Sequence, residues 1–509
     1  MEYKFKSEAL AKAITKALIS QKDPLRGIIG LLVRNLAEQQ DYRKHSPYIP
    51  FAARIVSQIQ DKREEILKAK SESKAVRKAE MLISSQEVYH VSHDDITVTH
   101  YSQQAKAAQT VYMFVGTHWH QLSNQQYYDL IDECCKQMGL PDEELNDHHF
   151  MNELDERIAR MVAHSRDTYI PDGEVRVNML NGTLIIRDDG TFQLRDHDRD
   201  DFLTYCLDYV YDSNAECPLW HKFLDEVLPD KDAQTVLAEY LAYCFTQSHK
   251  FEKMLVLYGN GRNGKSVALD VIENIFGKQN VSNVSITELT QDGEKRCMFE
   301  NKLVNISHEN GKDVDPSVLK AMVSGEPLTG RELYKSSHPI ENYGKLIMAC
   351  NVLPKAEATL GFNRRFIILP FDVTIDEDKA DPELADKLAK ERCGILNWIL
   401  AALVGLLKRG KFTKSEVCEK ALRNYRMQTD SAYFFFNTCC EISNTLFKGA
   451  DLYSKYKEFC NYSDGVLHPL GRNKFLDRIR GYKGVKETEK GNCPHFNIKI
   501  NEEKYDCPF

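Results

Sequence analysis

The chain has 509 residues, 42% of them apolar and 28% charged, and carries a net charge of −8. Such a length predicts two to four domains, each able to bury a core, and the composition excludes the disordered and membrane-spanning classes. The acidic balance excludes bulk attraction to nucleic-acid phosphate, so any such contact has to be local.

The first eighteen residues mix Lys and Glu among apolar positions and do not read as a signal peptide. The fourteen cysteines include no Cys-x-x-Cys, and the two close pairs, Cys134 with Cys135 and Cys439 with Cys440, are adjacent in sequence. Reduced thiols and a cytoplasmic setting are the expectation. Residues 2–83 read as helical and end in a charged run, 61–80, of the kind that forms a solvated helix face. From 88 to 195 the texture changes to short alternating segments, 110–115 and 175–179, and Asn181 with Gly182 signals a tight turn before 183–186. A mixed α/β module is expected there. Trp220, Phe223, Leu224, Val227 and Leu228 then repeat at helical spacing. After Pro229, so do Val236, Leu237, Tyr240, Leu241, Cys244 and Phe245, giving two consecutive amphipathic helices.

Met254–Tyr258 is an apolar run suited to a buried parallel strand, and it feeds straight into Gly259, Asn260, Gly261, Arg262, Asn263, Gly264, Lys265 and Ser266, followed by Val267 and a helix. This is the spacing G-x-x-x-x-G-K-S. Its glycines let backbone N–H groups turn inward around phosphate oxygens. Lys265 is expected on the β- and γ-phosphates of ATP, and Ser266 on Mg²⁺. A second strand, 302–307, ends just before Glu309, where a carboxylate can orient water and reach the metal's shell through that water. The usual paired acid is absent, because His308 occupies the preceding position. A third strand, 345–350, delivers Asn351 to the same edge, where an amide reaches the γ-phosphate or the attacking water. Arg364 and Arg365 precede a further apolar run, and either can act on the ATP of a neighbouring subunit. Between Glu309 and Asn351 come a helix over 316–323 and a turn-rich segment with Arg331 and Lys335, a candidate for gripping DNA phosphates.

Two other clusters carry less. Asp196, Asp198, Asp200 and Asp201 read as acids favouring a helix N-terminus rather than a metal pair. His118 and His120 alternate on an expected strand without a third ligand, so zinc is not expected. Beyond a linker at 408–414, helices are expected around Leu452, Tyr453, Tyr456 and Phe459 and over 472–480, with a two-stranded wing over 485–500 turning near Gly491. Arg472, Lys474, Arg478 and Arg480 make that region locally basic, as a helix docked on DNA requires.

With these residues assembled, the chain resembles the superfamily 3 AAA+ helicases of the poxvirus and phage-satellite primase-helicase type, from about Val111 onward. The resemblance rests on N-M-L-N-G-T-L at 178–184, Y-D-S-N-A-E-C-P-L-W at 211–220, the loop at 259–266, Glu309, L-K-A-M-V-S-G-E at 319–326, the segment 331–335, A-C-N-V-L-P at 349–354 and R-R-F at 364–366. It implies an α/β fold: a mainly helical region to 108, an α/β then helical domain over 109–248, an AAA+ core over 249–375, a helical lid and linker over 376–428 and a winged-helix-like domain over 429–509. It implies a homo-hexamer that draws single-stranded or forked DNA through its pore on the Lys335 hairpin. Asn351 would sense phosphate and one of Arg364 and Arg365 would act in trans. The setting would be replication of a phage, virus or plasmid genome in the host cytoplasm, with a separate primase or polymerase as a possible partner and no membrane. A replication initiator or regulatory NTP switch without processive unwinding, or a primase-helicase, stands as the alternative.

Overall fold

The computed structural model describes residues 96–99, 110–129, 146–149, 152, 155, 171, 173–308, 314–331, 337–353, 360–376, 378, 381–462, 469–491 and 493–501. The expected helical region over 2–83 lies outside them, as do Cys134 and Cys135. The chain divides into two compact units, Met1–Tyr211 with Glu332–His338, and Asp212–Arg331 with Pro339–Phe509.

The first unit carries two antiparallel three-stranded sheets. One is β1 (Ile96–Thr99), β2 (Thr110–Phe114) and β3 (Trp119–Leu122), and the other is β4 (Glu174–Met179), β5 (Gly182–Arg187) and β6 (Phe192–Arg195). Met179 pairs with Gly182, so Leu180 and Asn181 form the tight turn, and Gly182 takes a φ of 140° that only glycine adopts readily. Asn178 is fully buried and donates through Nδ2 to the carbonyls of Thr117 and Tyr205, 2.8 Å each, which ties β4 to the segment after β2. Asp201, from the acidic cluster, is buried against Arg176 at 2.7 Å and Arg195 at 2.5 Å.

In the second unit, α1 (Pro218–Val227) and α2 (Lys231–Cys244) precede a five-stranded parallel sheet. They therefore fall with that sheet and not with the sheets before it. Its strands are β7 (Met254–Tyr258), β8 (Val281–Ser282), β9 (Val304–His308), β12 (Lys345–Cys350) and β13 (Phe366–Pro370), in the order β13-β7-β12-β9-β8. Runs such as M-L-V-L-Y are apolar at every position because a parallel sheet is covered on both faces. Between strands lie α3 (Lys265–Phe276), α4 (Ile286–Gln291), α5 (Gly293–Cys297), α6 (Pro316–Ser324) and α7 (Leu360–Asn363), with a two-stranded ladder of β10 (Leu328–Gly330) and β11 (His338–Ile340). After β13 come α8 (Leu384–Ala389), α9 (Arg392–Arg409) and α10 (Glu416–Thr429). α9 packs on α2 and α3, and α10 packs against β13. α9 stops at Gly410, whose φ of 63° gives the left-handed cap.

The last part of this unit sets α11 (Ser431–Cys439), α12 (Gly449–Tyr462) and α13 (Arg472–Arg480) with an antiparallel sheet of β14 (Cys440–Lys448), β15 (Glu487–Lys490) and β16 (Cys493–Ile500), ordered β14-β16-β15. Its core is aromatic, with Tyr456 stacked on Phe475 at 4.2 Å and Phe435 and Phe459 beside them. The expected two strands over 485–500 are β15 and β16, an antiparallel pair turning at Gly491, and β14 adds a third strand to their sheet. β14 is exposed along most of its length and bulges between Ile442 and Phe447, so it lacks the alternation that announces a strand. All the described cysteines are free thiols, and no described helix is long and apolar enough to cross a membrane.

One buried cation stands out. Lys345, the first residue of β12, is 3% exposed, donates to the Thr246 carbonyl at 3.0 Å and lies 4.8 Å from the Tyr243 ring centre. Burial pulls its pKa from 10.5 down to about 7. The unfolded chain therefore holds a proton that the folded chain resists, and stability rises with pH between those values. Lys345→Met is expected to unfold later than the parent at neutral pH, by on the order of a few kcal/mol, with the gain shrinking towards pH ~10. Denaturant midpoints from about pH 6 to 10 measure this.

Candidate active site

β7, flanked by β13 and β12, ends at Tyr258, and the chain turns through Gly261 at φ 98°, Arg262 at φ 49° and Gly264 at φ 79° before α3 begins at Lys265. A Cβ on Gly264 would lie 2.8 Å from Val227 Cγ1, because α1 packs directly on this turn. The loop is held by the segment that follows β13. Phe371 N donates to the Tyr258 carbonyl, Ile375 N donates to the Arg262 carbonyl, and Asn263 Nδ2 donates to the Phe371 carbonyl, each at 2.7 Å. With its amide nitrogen fixed in this way, Asn263 turns Oδ1 towards Lys265 Nζ at 3.0 Å, and the same Nζ donates to the Gly259 carbonyl at 2.7 Å. Lys265 is 7% exposed, and burial lowers its pKa.

The loop and the first turn of α3 line a cavity of about 430 Å³ with His308 from β9 and Ala349, Cys350 and Asn351 from β12. That size suits a small-molecule ligand. The first N–H groups of α3 have no intrahelical partners and favour an anion, and an ammonium, a hydroxyl and an amide converge on the same space. The donor set fits a nucleotide polyphosphate with a divalent ion. Among the described residues no group of three His, Cys, Asp or Glu side chains can hold an ion alone, so phosphate oxygens would supply much of its shell. Asn260 lies within the loop, and Val267, which follows it, lines the cavity. Glu309 and Lys335 lie outside the described residues. Arg331 is exposed, just past β10.

Arg364 and Arg365 sit at the other edge of the sheet. β13 pairs in register with β7, Phe366 opposite Met254 and Pro370 opposite Tyr258. The arginines thus precede the strand whose far end holds the loop, roughly 17 Å away at the usual strand rise. Both contact Glu252, Arg364 at 2.7 Å and Arg365 at 3.3 Å. Arg365 is 13% exposed and also donates to Ser324 Oγ at 2.8 Å, whereas Arg364 is 65% exposed. Lys253 donates to the Arg364 carbonyl, and burial together with the two arginines lowers its pKa. Neither Glu252 nor Lys253 is marked by any sequence motif, since their partners lie more than a hundred residues on.

The basic set on α13 divides. Arg472 and Lys474 are exposed. Arg478, expected on DNA, is instead 13% exposed and paired with the fully buried Asp430 carboxylate at the start of α11. Arg480 is held by Glu487 through two hydrogen bonds, 2.9 and 2.8 Å, and by Asp477. Folding brings Asp430 and Glu487 to a stretch whose own single acid is Asp477. Arg478→Ala strands a buried carboxylate and is expected to cost about 3–5 kcal/mol in a denaturant titration, against near-neutral effects for Arg472→Ala and Lys474→Ala.

A mixed α/β chain with a parallel sheet ending in this loop is compatible with a P-loop-like core. Residues 94–229 match the family described as "D5 N terminal like", and residues 257–365 match one described as "Family of unknown function (DUF5906)". The chain is similar to "Putative helicase L207/L206" of Acanthamoeba polyphaga mimivirus, 26% identical over 370 residues, covering 63% of this chain and 38% of that protein. It is also similar to "Putative helicase 121R" of Invertebrate iridescent virus 3, 21% identical over 335 residues, covering 57% and 36%. The chain thus spans little more than a third of these curated relatives. Among solved structures it matches the apo NrS-1 C terminal region at 12% identity and a TM-score of 0.38, over 80% of this chain and 97% of that one. The D5-like segment and the viral relatives support a relation to the phage and viral primase-helicase proteins.

Gly259 is the most confined position of the loop, because a Cβ there would lie 2.2 Å from Asn263 Nδ2 and 2.3 Å from the Phe371 carbonyl. Gly259→Ala is expected to break the Asn263 bridge and lower nucleotide affinity by at least about tenfold while unfolding stays cooperative. Titration with a fluorescent ATP analogue beside a thermal melt checks both.

Proposed function

We propose that the chain is an ATP- and Mg²⁺-dependent DNA helicase or translocase that forms rings, as a homo-hexamer, and acts in replication of a phage, virus or plasmid genome. The observation that carries the reading is the division of charge between the two edges of one parallel sheet. Lys265, Ser266 and Asn351 surround a cavity at one edge, and an exposed Arg364 stands at the other, out of reach of its own loop. A second copy can bring that arginine to the phosphates. In this reading Lys265 neutralises the phosphates, Ser266 is the metal ligand, Glu309 orients water, and Asn351 holds the γ-phosphate or that water. Arg364 acts in trans, and Arg365 positions it through their common partner Glu252. Arg331 and Lys335 grip single-stranded or forked DNA, and Arg472 and Lys474 on α13 add phosphate contacts in a winged-helix-like module. A separate primase or polymerase would work beside it.

Lys265→Ala and Arg364→Ala are each expected to lose ATP hydrolysis by about 10³-fold or more, and mixing them should restore it at about a quarter of the interfaces, where an intact loop meets an intact arginine. Absence of recovery in a mixture shown to co-assemble would overturn the shared site. Lys335→Ala should retain hydrolysis and lose strand separation. If strand separation persists in that variant, a nucleotide-switched initiator becomes the better reading.

A further inference from the structure

His308 closes β9 at the edge where the loop lies, and its imidazole lines the same cavity as Lys265 and Ser266. An oxygen donor is what Mg²⁺ requires at such a place, because Mg²⁺ holds oxygen ligands and water in a tight octahedron. Imidazole nitrogen favours first-row transition ions, whose affinity for a given site rises from Mn²⁺ to Co²⁺. The surroundings do not turn His308 into a bystander. Asp270 stands four residues beyond Ser266 on α3, hence on the same helix face, and interacts electrostatically with His308. A hydroxyl and an imidazole thus share the cavity, and a carboxylate stands one turn along the helix that carries the hydroxyl. The described residues hold no complete cation site of their own, so an ion would join phosphate oxygens to one or two of these groups.

We propose that His308 sets the metal preference of the nucleotide site, so that a nucleotide enters with Co²⁺ or Mn²⁺ in preference to Mg²⁺ because the imidazole is a direct ligand. This inference rests on the nucleotide-site reading above and revises its ion, with Mn²⁺ or Co²⁺ preferred where that reading names Mg²⁺. Affinity of the full-length protein for the non-hydrolysable analogue AMP-PNP should be tightest with Co²⁺, next with Mn²⁺ and weakest with Mg²⁺, with about tenfold or more between Mn²⁺ and Mg²⁺. His308→Asn should reduce that ratio towards unity, and His308→Asp should shift it to favour Mg²⁺. Electron spin echo modulation of the bound Mn²⁺ should show an imidazole nitrogen in the parent and lose it in both variants. A parent spectrum without that nitrogen, or a Mn²⁺ to Mg²⁺ ratio unchanged in His308→Asn, overturns the proposal and leaves nucleotide binding intact. Failure of AMP-PNP to bind with any of the three ions overturns both the proposal and the site reading.

Discussion

Strands that run parallel all finish on one edge of their sheet, and this constraint governs what a single copy of the chain can do with its charged groups. The loop after β7, His308 after β9 and Asn351 after β12 meet because all three strands end together. Arg364 and Arg365 enter β13 from the opposite edge for the same reason. The two edges are nevertheless joined. β13 starts at the arginines and leaves through Phe371, whose carbonyl accepts from Asn263 beside Lys265. One strand therefore links the backbone that carries the arginines to the backbone that holds the loop.

The loop was legible because everything that defines it is local: an apolar strand, glycines at fixed spacing, a lysine and a helix start within about a dozen residues. The helices α1 and α2 were legible from their apolar spacing. What the sequence did not show depends on partners brought together by folding. Asn263 reads as one loop residue among others until Phe371, 108 positions later, gives its amide an orientation. Arg364 and Arg365 are indistinguishable as letters and differ only in burial. Arg478 and Arg480 lose their apparent freedom to Asp430 and Glu487. β14 escaped notice because exposure removed the periodicity on which strand reading relies.

The basic character of α13 is tempered because Arg478 and Arg480 are each matched by acids. The pairing of Arg478 with Asp430 anchors α13 to the start of α11, and breaking a buried ion pair is far more costly than its net gain in forming. Such a pair fixes the orientation of α13 more than it strengthens the module. The exposed Arg472 and Lys474 sit on that helix, so their placement depends on the contact that anchors it.

Glu252 adopts a left-handed φ of 48°, uncommon for a residue with a side chain, and accepts from two guanidinium groups at once. Double occupancy changes the cost of motion. If an outside anion draws Arg364 away, the carboxylate is not orphaned, because the buried Arg365 still neutralises it. Departure and return of the exposed arginine then become a swap of counter-ions, with little of the desolvation cost of unmaking a lone pair. Such a contact can be made and unmade many times at low energetic cost.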